Sequence, residues 1–253
     1  MQILVTNDDG INSDGLWVLA RELREIAKVT IVVPDSERSA IGTAVSLFKP
    51  LRVEKATPVI EDVTVYITDG TPADCTILAM GKLIDGNVDL VISGINAGLN
   101  LGEDVYISGT VGGALQGYFR GSSALSVSAP RDSKAGYATA AKAAASLAKR
   151  VNATALPSRI FLNINAPDIP ITEIAGVRIT RLAQTSHINT VEEANISEEK
   201  HYHLFRQQIG ESALKGTDMH AVRQGFISIT PLFTSLFNRP PQRLLQELCT
   251  DII

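Results

Sequence analysis

Short apolar runs rich in β-branched residues recur along the sequence, and a helical pattern separates each run from the next. In the first unit, Ile3–Thr6 and Val29–Val33 have the composition of buried strands, and apolar residues recur at helical spacing between them. The same reasoning predicts, in chain order, a strand at Val63–Thr68, a helix at about Pro72–Leu83, a strand at Leu90–Ser93, a helix at about Thr110–Phe119, a strand at Leu125–Ser128, a helix near Tyr137–Lys149 and a strand at Ile160–Asn163. Apolar strands that alternate with helices are typical of a parallel sheet covered on both faces, so we predict a doubly wound, mostly parallel α/β fold of Rossmann-like type.

The pattern changes after about residue 170. Two β-rich segments, Val177–Leu182 and Tyr202–Gln207, flank an acidic stretch and predict a protruding hairpin arm, and a further strand is expected at Phe226–Thr230. The C-terminal segment predicts a helix with one apolar face, made of Leu244, Leu245, Leu248 and Cys249. We therefore treat residues 1–253 as one domain, with a core at about 1–170 and an arm and dimerisation tail at about 171–253.

Composition excludes several classes of protein. The chain of 253 residues has a net charge of -4 and scattered Lys and Arg, so no basic stripe suited to a nucleic-acid polymer is expected. Its two cysteines, Cys75 and Cys249, are far apart in apolar contexts and are expected to be core residues. No apolar run is long enough to span a membrane and no secretion signal is visible, so we predict a cytoplasmic protein without a membrane partner.

Motifs typical of three other enzyme classes are also missing. The first strand is not followed by the GxGxxG fingerprint of dinucleotide-binding proteins, and the sequence contains neither a Walker-type phosphate loop nor a GxSxG nucleophile elbow. These absences argue against a dehydrogenase, an ATPase of the Walker type and a serine hydrolase.

Two adjacent carboxylates, Asp8 and Asp9, follow the first predicted strand and precede Gly10. Successive side chains on a strand point to opposite faces, so both carboxylates can serve one centre only where the backbone turns, and Gly10 permits that turn. The simpler alternative is an ordinary turn that caps the next helix at Ser13 or Asp14.

Two more side chains with oxygen atoms follow other predicted strands, namely Ser39 and Asn96. Because ligands of doubly wound sheets bind at the carboxyl ends of the strands, these side chains are expected to meet Asp8 and Asp9. Carboxylate, hydroxyl and amide oxygens suit Mg²⁺ or Mn²⁺ rather than zinc. We predict one divalent metal ion per subunit at these residues. The alternatives are that Ser39 is an ordinary loop serine and that Asn96 is a turn residue.

A segment of small residues, Ser108–Gly113, leads directly into a predicted helix. A helix N-terminus presents free N–H groups and partial positive charge, and Gly109 lacks a side chain that would keep an anion away. Ser108, Gly109 and Thr110 are therefore predicted to bind phosphate beside the metal, while a capped helix start without a ligand is the alternative.

Together these motifs resemble the SurE family of survival-protein nucleotidases over nearly the whole chain. The resemblance is carried by six segments in the same order: Thr6–Gly10, Pro34–Ser39, Asp69–Cys75, Asp89–Gly98, Ser108–Val111 and Thr217–Asp218.

The resemblance implies a metal-dependent phosphatase that acts on nucleoside 5′-monophosphates, with 3′-nucleotides and short polyphosphate as substrates of some members. It also places the family's metal ligands on Asp8, Asp9, Ser39 and Asn96. It further implies a homodimer with exchanged C-terminal segments, which could pair into a tetramer.

Three features depart from the family pattern. Ala40 stands where the family usually has glycine, and Gly113 stands where alanine is common. The segment Arg181–His187 differs from the usual arginine- and glycine-containing version, so nucleoside preference does not carry over.

We predict a 5′-nucleotidase in which the metal polarises a phosphoryl oxygen and positions a water, with Asp8, Asp9 and Asn96 as catalytic residues. Asn96 and the segment Ser108–Thr110 would stabilise the developing negative charge. Whether Asp8 or Asp9 accepts the proton of the water, or one of them attacks phosphorus, stays open. Two other functions also stay open: hydrolysis of another ester, as by a deacetylase or phosphodiesterase, and non-catalytic nucleotide sensing.

Overall fold

The computed structural model describes residues 1–153, 159–185, 188–196, 199–206 and 214–233. The strands are β1 (Gln2–Thr6), β2 (Lys28–Pro34), β3 (Val53–Ala56), β4 (Val63–Thr68), β5 (Leu90–Ala97), β6 (Ser123–Ala129), β7 (Phe161–Asn165), β8 (Gly176–Ile179), β9 (Ile188–Ile196), β10 (Glu199–Arg206) and β11 (Phe226–Pro231). The α-helices are α1 (Asp14–Arg24), α2 (Pro72–Leu78), α3 (Gly109–Phe119), α4 (Lys134–Ala153) and α5 (Asp218–Arg223). A π-helical segment, Ala79–Leu83, continues α2, and 3₁₀ segments occur at Gly102–Tyr106 and Ile171–Glu173.

Nine strands form one sheet in the order β3-β4-β2-β1-β5-β6-β7-β11-β8. The strands from β4 to β7 are parallel to one another, whereas β3 and β11 run antiparallel to their neighbours β4 and β7. Helices cover both faces, with α1 packed beside α4 and α2 packed beside α3. The predicted doubly wound α/β class is therefore confirmed.

Alternation along the central strands supplies the two apolar layers of the core. Ile3 and Val5 of β1 belong to the cluster formed with α1 and α4, whereas Leu4 belongs to the cluster formed with α2. A strand whose two faces are both buried needs apolar residues at consecutive positions, which explains the uninterrupted apolar runs in the sequence.

The order of strands creates a switch point between β1 and β5. The chain leaves β1 toward β2 on one side and later returns to place β5 on the other side. In doubly wound sheets, ligands bind at such a switch point, outside the carboxyl ends of the strands. Asp8 and Asp9 follow β1, and Asn96 lies at the end of β5.

Several predicted elements need correction. Val177–Leu182 is not part of the hairpin, because β8 pairs in parallel with β11 at the edge of the main sheet. The hairpin consists of β9 and β10, so the described residues of the acidic stretch lie within its strands rather than between flanking segments. The edge strand β3 was not predicted, because its sequence, Val-Glu-Lys-Ala, is short and half polar. Ser13 occupies the N-cap position of α1 without making a side-chain capping bond.

The predicted C-terminal helix with Leu244, Leu245, Leu248 and Cys249 lies outside the described residues. Within the described part of the chain, none of the helices combines the length and the hydropathy that crossing a bilayer requires.

Candidate functional site

The turn after β1 brings the two aspartates to the end of the sheet. The Asn7 side chain is buried and spans the turn, because its amide donates to Gly10 O at 2.9 Å and its oxygen accepts from Gly10 N at 3.2 Å. Gly10 adopts a positive φ of 83°, which a residue with a side chain rarely does. Asn7 and Gly10 therefore fix the direction in which both carboxylates leave the strand.

Asp8 lies against the first turn of α3. Its Oδ1 accepts a hydrogen bond of 2.5 Å from the Thr110 hydroxyl, and the side chain of Asp8 is 4% exposed. A Cβ atom on Gly109 would lie 2.9 Å from both Cβ and Oδ2 of Asp8, so glycine is required for this approach. The predicted metal ligand and the predicted phosphate loop are thus in direct contact.

Burial raises the pKa of the Asp8 carboxyl to about 6, and the charge of Asp9 adds to this effect. The hydrogen bond from Thr110 acts in the opposite direction. Burial also raises the pKa of Asp9, while the Ala97 N–H and the charge of Arg131 oppose that rise. The protein therefore holds two partly desolvated carboxylates close enough for their charges to interact.

The end of β5 supplies the second contact to the aspartate pair. Asp9 Oδ2 accepts a hydrogen bond from Ala97 N at 3.0 Å, and Ala97 directly follows Asn96. The Asn96 Nδ2 atom donates to Gly98 O at 2.6 Å. The Asn96 amide thus uses its N–H on the protein, which leaves its oxygen as the atom suited to a metal or to a ligand.

Ser39 differs from the other predicted ligands in its surroundings. Its side chain is exposed, and its hydroxyl donates to Glu37 Oε1 at 2.5 Å. The preceding residue, Arg38, donates its backbone N–H to Asp8 O at 2.7 Å, which holds the Ser39 backbone beside the aspartate turn. The structure therefore brings the loop of Ser39 to the site but directs the hydroxyl toward Glu37.

The start of α3 has the cap that the sequence led us to expect as an alternative. Ser108 is the N-cap residue, and its hydroxyl accepts from Val111 N at 3.2 Å. The N–H groups of Gly109 and Thr110 precede the first hydrogen bond within the helix, so they can serve an anion. The Thr110 N–H already faces the Asp8 carboxylate and helps to lower its pKa. Ser108 therefore acts as a cap, and the two residues after it face the site.

Two charged residues at the site were not predicted. Glu37 raises the pKa of Asp9 and forms an ion pair of 3.8 Å with Arg131, which comes from the loop after β6. Both side chains are more than half exposed. Sequence reasoning missed them because a single Glu or Arg in a polar loop has no distinguishing pattern.

The donor set fits a hard divalent cation. Among the described residues, no Lys, Arg or His forms an ion pair with Asp8 or Asp9, although both carboxylates are largely buried. The described residues contain no group of three or more His, Cys, Asp or Glu side chains placed to hold a metal ion, so a cation at the aspartate pair would need further oxygen donors such as the Asn96 amide. Two carboxylates and an amide oxygen match the preference of Mg²⁺ and Mn²⁺.

The sequence profile of the family described as Survival protein SurE matches residues 3–189 of the chain. The chain belongs to the SurE family. A Dehalococcoides mccartyi protein named 5′-nucleotidase SurE is 46% identical over 243 residues, which cover 95% of this chain and 92% of the relative. A Haemophilus influenzae protein of the same name is 41% identical over 237 residues, or 93% of this chain and 92% of the relative.

A solved structure of the SurE family has the same fold. The crystal structure of the SurE protein from Aquifex aeolicus superposes with a TM-score of 0.84 at 32% identity, covering 98% of this chain and 99% of that chain. The resemblance to the SurE family inferred from the motifs is therefore confirmed.

Two departures from the family pattern have structural consequences. Ala40 has a φ of 54°, in the left-handed region that glycine enters more easily. A Cβ atom on Gly113 would lie 2.9 Å from Thr6 Cγ2 and 3.0 Å from Ser93 Oγ. Alanine would therefore be crowded at this position in the present chain.

Proposed function

We propose that the protein is a divalent-metal-dependent phosphomonoesterase that converts nucleoside 5′-monophosphates to nucleosides and phosphate. Membership of the SurE family supports nucleotidase activity, and two relatives carry the name 5′-nucleotidase. One observation supports the metal-dependent form of this activity: the buried Asp8 carboxylate lies against the N-terminus of α3. A bound cation needs carboxylate ligands, and a phosphate ester on that cation needs N–H donors. The contact between Asp8 and the start of α3 places a carboxylate directly beside such N–H groups.

In this proposal Asp8, Asp9, Asn96 and Ser39 would hold the cation, with Ser39 joining the other three after its hydroxyl turns from Glu37. When bound, the cation would neutralise phosphoryl oxygens and lower the pKa of a water molecule.

The first turn of α3 would bind the phosphate. The Gly109 and Thr110 N–H groups present partial positive charge to phosphoryl oxygens, and these groups are fixed before substrate arrives because Ser108 caps the helix. Gly109 leaves room for the phosphate because it has no side chain. The Thr110 hydroxyl keeps the Asp8 carboxylate in place by donating to its Oδ1.

A carboxylate of the pair would accept the proton of the attacking water. In the metal-free protein, burial raises the pKa of Asp8 to about 6, and a bound cation would lower this pKa because it favours the charged carboxylate. The pair would therefore be ionised in the loaded enzyme and able to accept a proton. Attack of an aspartate on phosphorus is the alternative chemistry, and it would leave a phosphorylated residue that mass spectrometry of acid-quenched enzyme could detect.

Hydrolysis of a panel of substrates tests this proposal, with released phosphate measured for the monophosphates and the polyphosphate, released alcohol for the diester and released acetate for the acetyl ester. The panel contains nucleoside 5′-monophosphates, 3′-monophosphates, a short polyphosphate, a phosphodiester and an acetyl ester. Each substrate is assayed with Mg²⁺, with Mn²⁺ and after chelation. Metal-dependent release from 5′-monophosphates supports the proposal. Preferential hydrolysis of the diester or the acetyl ester would favour another esterase, and nucleotide binding without release would favour a sensing role.

We also propose a homodimer stabilised by exchange of the C-terminal segment. The support is the apolar stripe Leu244, Leu245 and Leu248, since leaving such side chains in water is unfavourable by about 1.5–3 kcal/mol each. Sedimentation of the full chain and of a variant truncated from Pro240 tests this. A truncated protein that remains a well-behaved dimer would contradict the exchange. Cytoplasmic location stays a prediction, which cell fractionation would test.

A further inference from the structure

We propose that Asp218 is a positioning residue for the phosphate-binding segment Ser108–Thr110. Its carboxylate connects the loop before this segment to residues 181–185, which form the root of the hairpin arm. This inference rests on the proposed phosphomonoesterase function. Asp218 lies at the start of α5, and its hydrogen-bond partner Gly102 is 116 positions away in the sequence. The carboxylate does not contact the aspartate pair, so its effect would be transmitted through the loop that joins Asn96 to Ser108.

Each oxygen of the Asp218 carboxylate holds a different segment. Oδ2 accepts from Gly102 N at 2.8 Å, within the loop between Asn96 and Ser108. Oδ1 accepts from Ala183 N at 2.9 Å, in the segment that leads to the arm, and from Met219 N at 2.8 Å. One buried carboxylate therefore links three parts of the chain.

The linked segments have additional bonds that keep them together. Asp218 N donates to Arg181 O at 3.0 Å, and Glu103 N donates to Thr185 O at 3.0 Å. Gly102 has a φ of 58°, and a Cβ atom there would lie 2.4 Å from Thr185 O. The loop and the root of the arm therefore approach too closely for any residue other than glycine at position 102.

The Asp218 carboxylate is fully buried. Asp218 is 0% exposed, and residues of the segments it links, Leu101, Ala183, Met219 and Val222, form one buried apolar cluster. Removing water strengthens each N–H to carboxylate bond and makes an unfilled bond more unfavourable. A neutral amide in place of the carboxylate would present N–H groups to backbone N–H groups, and the segments would separate.

The loop depends on such side chains because the part before Gly102 has no helix or strand. Another buried anchor is Asn100, whose backbone N–H donates to Asn165 Oδ1 at 2.9 Å. The Asn100 carbonyl accepts from the side chains of Asn163 and Asn165 at 2.8 and 3.0 Å. Asn100 and Gly102 are thus two buried points at which the rest of the fold holds this loop.

Displacement at Gly102 would reach the phosphate-binding residues through a short path. The 3₁₀ segment Gly102–Tyr106 begins at the anchored residue, and Ser108 caps α3 directly after Ile107. The Ile107 carbonyl is held by Gly42 N at 2.8 Å, so the far end of the segment is also fixed. Ser108 follows a segment held at Gly102 and at Ile107, so both bonds together set its position, and with it the position of Gly109 and Thr110.

The test compares Asp218→Asn with Thr217→Ala. Thr217 is the N-cap of α5, and its hydroxyl bonds to Leu214 O and His220 N, so its removal weakens the same helix without touching Gly102. We expect Asp218→Asn to lower kcat and to raise KM so that kcat/KM falls at least about tenfold, while Mn²⁺ affinity measured by calorimetry changes less than about threefold. Thr217→Ala should lower thermal stability and leave kcat/KM within about twofold of wild type.

A folded Asp218→Asn protein with wild-type kcat/KM, or with a loss no larger than that of Thr217→Ala, would overturn the assignment. Hydrogen exchange on the unmodified protein provides a reading that does not depend on activity, because the Gly102 and Ala183 amides should be strongly protected. Rapid exchange at these amides would also overturn it.

Gly102→Ala gives a second variant in case Asp218→Asn does not fold. It forces the two segments apart while the carboxylate remains, and it should reproduce the loss in kcat/KM with metal affinity retained. Wild-type turnover in Gly102→Ala would count against the assignment. If the wild-type protein itself releases no phosphate, the proposed function fails, and amide exchange then decides whether Asp218 holds the loop.

Discussion

The inner and outer halves of the candidate site are built by different interactions. The inner half comprises Asp8, Gly109 and Thr110, all buried and in direct contact. The outer half comprises Ser39, Glu37 and Arg131, which are exposed and linked by a hydroxyl bond and an ion pair. Close packing fixes the inner half before any ligand binds, whereas exposed ion pairs contribute little and can rearrange. We therefore expect substitutions to be far more harmful inside than outside.

Asp8→Asn should have the largest effect. The substitution preserves shape and removes the carboxylate that we propose as a metal ligand. Several kcal/mol of metal-dependent stabilisation correspond to a loss of kcat/KM of about a thousandfold or more. Phosphate release at saturating Mn²⁺, with metal affinity measured by calorimetry, checks this. Turnover near that of wild type would show that Asp8 only shapes the turn.

The same variant should be more stable than wild type when both are free of metal at pH 8. The pKa of Asp8 lies at about 6 in the folded protein, against 3.8 for an unperturbed aspartate. The folded state therefore binds the proton more tightly, and the resulting stabilisation is complete below the unfolded pKa and is lost as pH rises through about 6. This loss corresponds to roughly 3 kcal/mol, which the neutral asparagine avoids. Urea unfolding with chelator at pH 8 and at pH 3.5 measures the difference, which should vanish at the lower pH.

Gly109→Ala should have the next largest effect. The added Cβ would lie 2.9 Å from the Asp8 side chain and 3.2 Å from Arg38 O, so the helix start and the aspartate must move apart. A displacement of about 1 Å can lower turnover about a hundredfold. Gly81→Ala is the matched control, because a Cβ there meets nothing within 4 Å. Equal activity of the two variants would show that the inner half tolerates displacement.

Thr110→Val should lower kcat/KM about tenfold, since it removes the hydroxyl that donates to Asp8 and keeps the branched shape. Metal should still bind, because the carboxylates remain. Thr139→Val serves as the control, as it removes a buried hydroxyl of α4 that donates to Ile169 O. That control should lose stability and keep its activity. A Thr110→Val protein that binds no metal would indicate that Thr110 belongs to the metal side of the site.

Arg131→Ala should change kcat/KM by less than about threefold, because its ion pair with Glu37 is exposed. Arg24→Ala removes a surface ion pair between the partly buried Arg24 and the exposed Glu25, and it provides the baseline. A loss of thirtyfold or more in steady-state assays would contradict the division into inner and outer halves and would indicate that Arg131 contacts substrate.

Ala40→Gly should have the smallest effect, and it should be favourable. Glycine adopts the left-handed φ of 54° without strain, but it also has greater freedom in the unfolded chain. Because these two effects partly cancel, we expect the free energy of unfolding to rise by at most about 1 kcal/mol. Urea unfolding measures it. Ala138→Gly, on the exposed side of α4, should instead lose about 1 kcal/mol. A loss of stability in Ala40→Gly would mean that the loop holds this conformation without strain.

The central strands and helices could be predicted closely from the sequence. Strand β4 coincides with the predicted Val63–Thr68, and helix α3 begins one residue before its predicted start. Residues buried on both faces of a parallel strand leave a continuous apolar run, which is a local signal. The candidate ligands could be predicted for a related reason, because residues that follow parallel strands gather at one edge of the sheet. Asp8, Asp9, Asn96 and the Ser108–Thr110 segment lie at that edge.

Only the tertiary structure decided how these residues are supported. The sequence alone did not indicate that Asp8 is the more buried aspartate, that the Ser39 hydroxyl faces Glu37, or that β8 joins the main sheet. It also did not indicate that Asp218 holds Gly102, a partner 116 positions away. Such contacts join side chains to distant backbone groups, and a hydrogen bond to a backbone N–H requires no particular residue type at the donor. They therefore produce no periodic pattern and no distinctive composition in either segment. They become visible only when the fold brings the two segments together.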